Sequence, residues 1–254
     1  LTIFLLSSCS SINLPLWTKG QPKAVKLDGY KEYDETDYVD HLISFDKAYK
    51  KQNKNKIIKL TARSRKYLQK LIKNVTSANE LFFDTELDAS FNIIKASEPF
   101  HFSLPGRRFY MSSGLLRKYI KNEDMLYCAI IYELVRSEKN IYSKTIIIPT
   151  GTLDTNRVLS LLRLGTPDKV EIHKWAYYLL KRVGVGTDSY LSWLQVKNRN
   201  SLDFSLQLGD IRSISREEAL FKAFLIEVEK EGKRANKHRG SSRSFYRLLN
   251  DLKV

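Results

Sequence analysis

The stretch from Phe100 to Glu138 constrains the fold more than any other. Phe102, Leu104 and then Phe109, Tyr110 and Met111 flank the pair Pro105-Gly106. Pro presets φ for a turn and Gly accepts left-handed backbone, so the segment predicts a strand, a turn and a second strand. Ser112 and Ser113 can cap a helix that begins at Gly114-Leu115-Leu116. Asn122 can cap another, with Glu123 and Asp124 in its first turn, where the helix dipole favours negative charge. That second helix runs through Leu126, Ala129, Ile130, Glu133 and Leu134 to about Glu138.

Helical spacing dominates the remainder. Tyr38, Leu42, Phe45 and Tyr49 mark a helix over residues 36–52, and a basic helix is expected from about Ile57 to Val75. Asn92 to Ala96 reads as a strand. Thr145 to Ile148 reads as a strand or an apolar loop. Further helices are expected over 156–164, over 170–183 with Gly184 and Gly186 at its end, and over 188–196. Ser215 with Glu218 three residues on has the form of a capping box opening a last long helix. The expected class is α+β, mainly helical, with a small β-sheet. The expected organisation is a leader remnant over 1–9, a tether over 10–35, a main domain over 36–231 and a basic tail over 232–254.

The N-terminus carries an address. Leu1 to Leu6 is apolar and ends in Ser7-Ser8-Cys9, too short for a membrane span and shaped like the end of a secretory signal. Leu6-Ser7-Ser8-Cys9 resembles the bacterial lipobox, which implies lipidation at Cys9 and an exported, periplasm-facing lipoprotein of the outer membrane. The second of two cysteines, Cys128, lies in an apolar run and has no partner for a disulfide. The formal net charge of +15 calls for a polyanionic neighbour, and the basic tail makes anionic lipid the nearest one. Nucleic acid is disfavoured, because no helix-turn-helix, zinc-finger or RNA-recognition signature is present.

Residues 60–230, most strongly 100–136, resemble the HtpX and CAAX prenyl endopeptidase family of zinc metallopeptidases. Phe100-His101-Phe102-Ser103-Leu104-Pro105-Gly106-Arg107 stands where that family has Asn-Ala-Phe-Ala-Leu-Pro-Gly-Gly, and Ser113-Gly114-Leu115-Leu116 matches its next segment. Asn122-Glu123-Asp124-Met125-Leu126 matches the start of its catalytic helix. The resemblance implies a zincin domain and, from the family, a zinc cofactor. Where the family has His-Glu-x-x-His, however, this chain has Tyr132-Glu133-Leu134-Val135-Arg136. Glu171 falls at the third-ligand place, with Trp175 where an Asp is usual. Ser213 to Glu218 resembles the closing Ser-His-Pro helix start without its His and Pro.

The substitutions change the chemistry. A His pair at i and i+4 puts two imidazoles on one helix face for zinc. Arg136 has no free lone pair and stays charged, and a Tyr phenol is seldom chosen by zinc. The degenerate positions Tyr132, Arg136 and Glu171 are therefore expected to hold no metal. Glu133, the family's general base, is expected to be inactive without zinc to acidify a water. It is expected either to form an exposed i, i+3 pair with Arg136 or to share Arg136 with Glu171. Phe102, Tyr110, Arg136 and Glu171 are the candidate cleft residues. The function expected is a catalytically inactive, metallopeptidase-like lipoprotein that binds protein or peptide segments or assists envelope assembly. The alternatives are a diverged active metallopeptidase and a basic surface-adhesion protein.

Overall fold

The computed structural model describes residues 35–83, 88–143, 152–231 and 240–252. Cys9, the 10–34 tether and the Thr145–Ile148 run lie outside them. The main unit is Glu35–Val254. It is mainly helical with one small sheet, of strands β1 (Ser90–Ile94), β2 (His101–Leu104) and β3 (Arg108–Ser112). Their order is β1-β3-β2, with β1 parallel and β2 antiparallel to β3. The hairpin register pairs His101 with Met111 and Leu104 with Arg108.

The hairpin is fastened to the helix that follows it. Gly106 and Arg107 both take positive φ in the turn. Arg107 tolerates this because it is held on both sides. Its backbone N–H donates to Ser137 Oγ at 2.9 Å and its Nε donates to Glu138 Oε1 at 2.6 Å. Both partners sit at the end of α3 (Glu123–Glu138). Ser112 Oγ accepts from the N–H groups of Phe100 and Leu115, which starts the π-helical turn Leu115–Tyr119.

Gly114 marks a close approach. Its N–H donates to Ala96 O at 2.8 Å, and a Cβ there would overlap the backbone carbonyl of Ser97. Backbone cannot swing aside as a side chain can. Gly114→Ala is therefore expected to lower stability by about 1–3 kcal/mol, read as a shifted denaturant midpoint at unchanged slope. An unshifted midpoint would mean that the loop yields freely.

Asn122 caps α3 as expected, its Oδ1 accepting from Met125 N–H at 2.9 Å. Every α3 residue from Asp124 to Ser137 is buried. A helix buried all round must lie at the centre of its domain. Accordingly α3 packs on α2 (Ala62–Ser77), α5 (Thr166–Val183), α6 (Asp188–Arg199), β2 and β3. The last long helix, α8 (Ser213–Glu231), lies against α5 and α6.

Several boundaries differ from expectation. The basic helix starts at Ala62, capped by Thr61, because Ile57 and Ile58 bond to the edge of β1 instead. The Ser215 capping box is not formed. Helix α8 begins at Ser213, and the Ser215 hydroxyl donates to Asn198 Oδ1. The expected basic tail is in part a packed helix, α9 (Arg243–Asp251), lying against α2. Glu123 accepts from Ser242 N–H at 2.7 Å, and Asp251 accepts from the Thr61 hydroxyl at 2.7 Å. These two contacts, with buried Phe245 and Leu248, hold α9 in place.

Strand alternation divides β2 between two cores. Phe102 and Leu104 join Tyr110 and the α1 (Glu35–Gln52) residues Leu42, Phe45 and Tyr49. His101 and Ser103 reach the α3 residue Glu133. Phe102 and Tyr110 are therefore not cleft residues. They are fully buried, stack at 4.7 Å between centroids, and the Tyr110 hydroxyl donates to Asp46 at 2.5 Å.

Candidate functional site

Glu133 sits at the centre of α3 with no exposed surface. One carboxylate oxygen meets His101 Nδ1 at 2.6 Å, and the other accepts from the Ser103 hydroxyl at 2.8 Å. The same hydroxyl lies 3.0 Å from the Glu133 carbonyl. Arg136 approaches only to 3.9 Å. Its guanidinium donates instead to the carbonyls of Ile141 and Leu162 and lies over the Tyr142 ring, 5.1 Å from its centroid. The pair with Arg136 is thus neither exposed nor close.

Glu171 has no part in the cluster. It lies on the exposed face of α5, so both its place as a ligand position and its place in the cleft are corrected. The α5 residue that lines a cavity with Tyr132 and Arg136 is Lys169, two positions earlier. Lys169 donates to Glu217 Oε1 of α8 at 2.8 Å. Glu217 also lies 3.5 Å from His173 Nε2, while His173 Nδ1 shares a hydrogen bond with the Tyr190 hydroxyl at 2.9 Å. The Tyr132 ring stands between the two buried imidazoles, with centroids 5.8 Å from His101 and 5.2 Å from His173. Lys197 of α6 points its ammonium toward Tyr132 and Trp193, 5.9 and 6.0 Å from their centroids.

These side chains enclose a cavity of about 30 Å³ lined by His101, Tyr132, Arg136, Lys169, Lys197 and Gln207, with Leu159, Leu162, Leu164 and Leu208 as its apolar wall. Arg163, exposed, completes it. Its guanidinium lies against Gly209, where a Cβ would collide with it. Gln207 belongs to the short helix α7 (Ser205–Leu208). Its side-chain amide covers the outer edge of β2, donating to His101 O at 2.9 Å and accepting from His101 N–H at 3.4 Å.

The electrostatics follow from burial. Burial pushes the His101 and His173 imidazoles below their ordinary range, although Glu133 and Glu217 pull the other way. Burial alone would raise the Glu133 and Glu217 carboxyls, but their hydrogen bonds to the imidazoles and the nearby cations bring both below the usual carboxylate range. Burial pushes the Tyr132 phenol up, so it remains a donor. It also pushes the Lys197 ammonium down, against the pull of Glu217.

The sign for stability is the same in all four acid–base groups. The folded imidazoles resist protonation and the folded carboxylates keep their charge, so the unfolded chain binds protons more readily. Stability is full above the ordinary histidine range and falls as pH drops through it, by up to about 1.4 kcal/mol per pH unit for each imidazole. A further loss follows below the ordinary carboxylate range. Denaturant titrations between about pH 8 and pH 5 check this. A flat profile would show that both imidazoles keep their unfolded-state affinity for protons.

The donor set does not fit zinc. Arg136 offers no lone pair, and Lys169 is an ammonium paired with Glu217. Among the described residues, no group of three or more His, Cys, Asp or Glu side chains is gathered that could hold a metal ion. The sequence matches no protein-family model, and no curated protein matches it. The family resemblance therefore stands on the residues that carry it, from Phe100 to Arg136.

Three of the central residues were legible only as pattern. Lys169, Lys197 and Glu217 each sit on an apolar stripe, with Ile172, His173 and Ala176, with Tyr190, Trp193 and Leu194, and with Ile214, Phe221 and Phe224 respectively. A charge on the buried stripe of a helix is the signal that marks them.

Proposed function

We propose that this chain is a non-catalytic binding protein on a metallopeptidase-like scaffold. It is anchored to the cell envelope by lipid at Cys9 and holds a protein or peptide segment at the face of α3 that carries Tyr132 and Arg136. The observation that carries this reading is the state of Glu133. At the family's general-base position, its carboxylate is taken up by His101 and Ser103 within the core, and it has no access to water. The two positions that flank it, one helical turn apart, offer a phenol and a guanidinium to the cavity. A hairpin leading through Ser113-Gly114 into a capped central helix is the scaffold the resemblance implies. Gln207 already covers the sheet edge at His101, so a bound segment engages through the cavity and not by adding a strand there.

The test has two arms. With zinc added, the full chain should hydrolyse an unfolded protein substrate no faster than a folded Glu133→Gln variant does. A zinc-dependent rate lost in that variant would restore the hydrolase reading. A fluorescently labelled unfolded polypeptide should bind the same preparation saturably by anisotropy. Absence of any saturable binding would remove the peptide-binding reading.

A further inference from the structure

The cavity beside Tyr132 is bordered by the Lys197 ammonium, the Tyr132 hydroxyl and His101 Nε2, none of which has a hydrogen-bond partner among the described residues; Nε2 is an acceptor, because Nδ1–H is given to Glu133. The Lys197 ammonium, in a residue 5% exposed, lies over the Tyr132 and Trp193 rings and is drawn by Glu217 and Glu133, yet among the described residues it makes no hydrogen bond or ion pair. The Tyr132 hydroxyl likewise makes no hydrogen bond among them, although the residue is 8% exposed. His101 is 1% exposed and its Nε2 is without a partner, while its Nδ1 is fixed by Glu133. Of these only His101 Nε2 is a fully buried atom left unmatched; the Lys197 ammonium and the Tyr132 hydroxyl border the cavity itself, and an ammonium there with no acceptor marks a place for one.

Charge says what that acceptor is. Arg136, Arg163, Lys169 and Lys197 border the cavity. Counting buried groups alone, three of these cations (Arg136, Lys169 and Lys197) face two carboxylates, Glu133 and Glu217, while exposed Arg163 stands with exposed Asp168 and Asp210 nearby. The buried wall is left with positive charge in excess, and an anion there gains more than it would in open water. Size narrows the choice. A single water needs about 10–15 Å³ of such space, so a cavity of about 30 Å³ takes two or three oxygen-sized atoms. A carboxylate, with two oxygens, fits that number.

We propose that this cavity binds one carboxylate group, held by Lys197, the Tyr132 hydroxyl and the remaining donors of Lys169. The group comes either from a small organic acid or from the C-terminus of a bound chain. The second source rests on the reading of this face as a peptide-binding site, and the first does not.

Calorimetric titration of the full chain with sodium acetate at constant ionic strength tests it. A single saturable site is expected. Lys197→Met, which removes the unmatched ammonium while keeping the stem's bulk, should weaken acetate by about ten- to a hundredfold and leave the thermal midpoint at or above that of the parent. Lys222→Met, at an exposed position on α8, should leave acetate binding unchanged. Two labelled peptides of one sequence, one ending in a free carboxylate and one in an amide, identify the source. Tighter binding of the free acid than of acetate, lost with the amide or with Lys197→Met, assigns a chain terminus. Acetate binding with neither peptide bound assigns a small acid. No saturable acetate site, or equal affinity in Lys197→Met, would overturn the inference and show a cavity filled by water. Equal binding of both peptides independent of Lys197 would exclude a chain terminus as the source, leaving the peptide-binding function intact and a small acid as the ligand if acetate still binds.

Discussion

Replacing Glu217 by alanine is expected to destabilise the protein by about 3–5 kcal/mol, the range for breaking a buried ion pair from one side. Glu217 is 1% exposed and is the only carboxylate among the described residues that hydrogen-bonds Lys169. It also faces His173 and lowers the cost of burying Lys197. Without it, two ammonium groups and an imidazole face one another with no acid between them. Lys197, which burial already pushes down, then loses the acid that holds its charge. Equilibrium denaturation measures the loss, and a double-mutant cycle with Lys169→Met locates it. The double variant should recover most of the single variant's cost, because both halves of the pair are gone. A loss under about 1 kcal/mol in Glu217→Ala would show that the pair is solvated and that α5 and α8 are held together by packing alone.

Glu133→Ala should be comparably severe, again about 3–5 kcal/mol. The carboxylate receives His101 Nδ1 and the Ser103 hydroxyl and is the nearest acid to Arg136. Alanine strands His101 and Ser103, removes the acid nearest Arg136 among the described residues, and opens a cavity at the centre of α3. Glu133→Gln keeps the volume and one acceptor and should cost less, near the penalty of about 1.5–3 kcal/mol for a charged hydrogen bond. The ordering Ala worse than Gln is the readout. Equal and small losses would mean that Glu133 is held for chemistry and not for the core.

Much of the frame was legible because local physics decided it. The Pro105-Gly106 turn, the Asn122 cap and the Gly184 helix end each rest on a backbone preference that tertiary structure did not override. The capping box at Ser215 failed because the helix already begins at Ser213, which puts Ser215 inside its first turn, and the Ser215 hydroxyl found Asn198 instead. The basic helix began late because Ile57 and Ile58 gained more by covering the edge of β1. The last basic segment was read as a tail from its charge, yet Phe245 and Leu248 form a buried stripe between the basic residues.

The site was legible on α3 and illegible across the fold. Tyr132, Glu133 and Arg136 were placed by a motif, and one helical turn fixes their relation. Which residues of α5, α6 and α8 meet them depends on helix rotation, and a two-residue shift separates exposed Glu171 from buried Lys169. His101 could not be paired with Glu133 before the register of β2 against β3 and its packing on α3 were fixed. Phe102 and Tyr110 were misplaced for the same reason, since alternation sends them to the opposite face.

Zinc bound by the parent chain and by the variant Tyr132→His, Arg136→His, Lys169→Glu, counted side by side by elemental analysis after loading and dialysis, tests the central claim most directly. The cavity lies between those three positions, so the introduced His, His and Glu set should hold close to one zinc per chain, while the parent holds almost none. Far-ultraviolet dichroism and a cooperative melt would establish that the variant is folded. A folded variant that retains no zinc, or a parent that retains one, would contradict the reading of this site as a metallopeptidase centre converted to bind an acid.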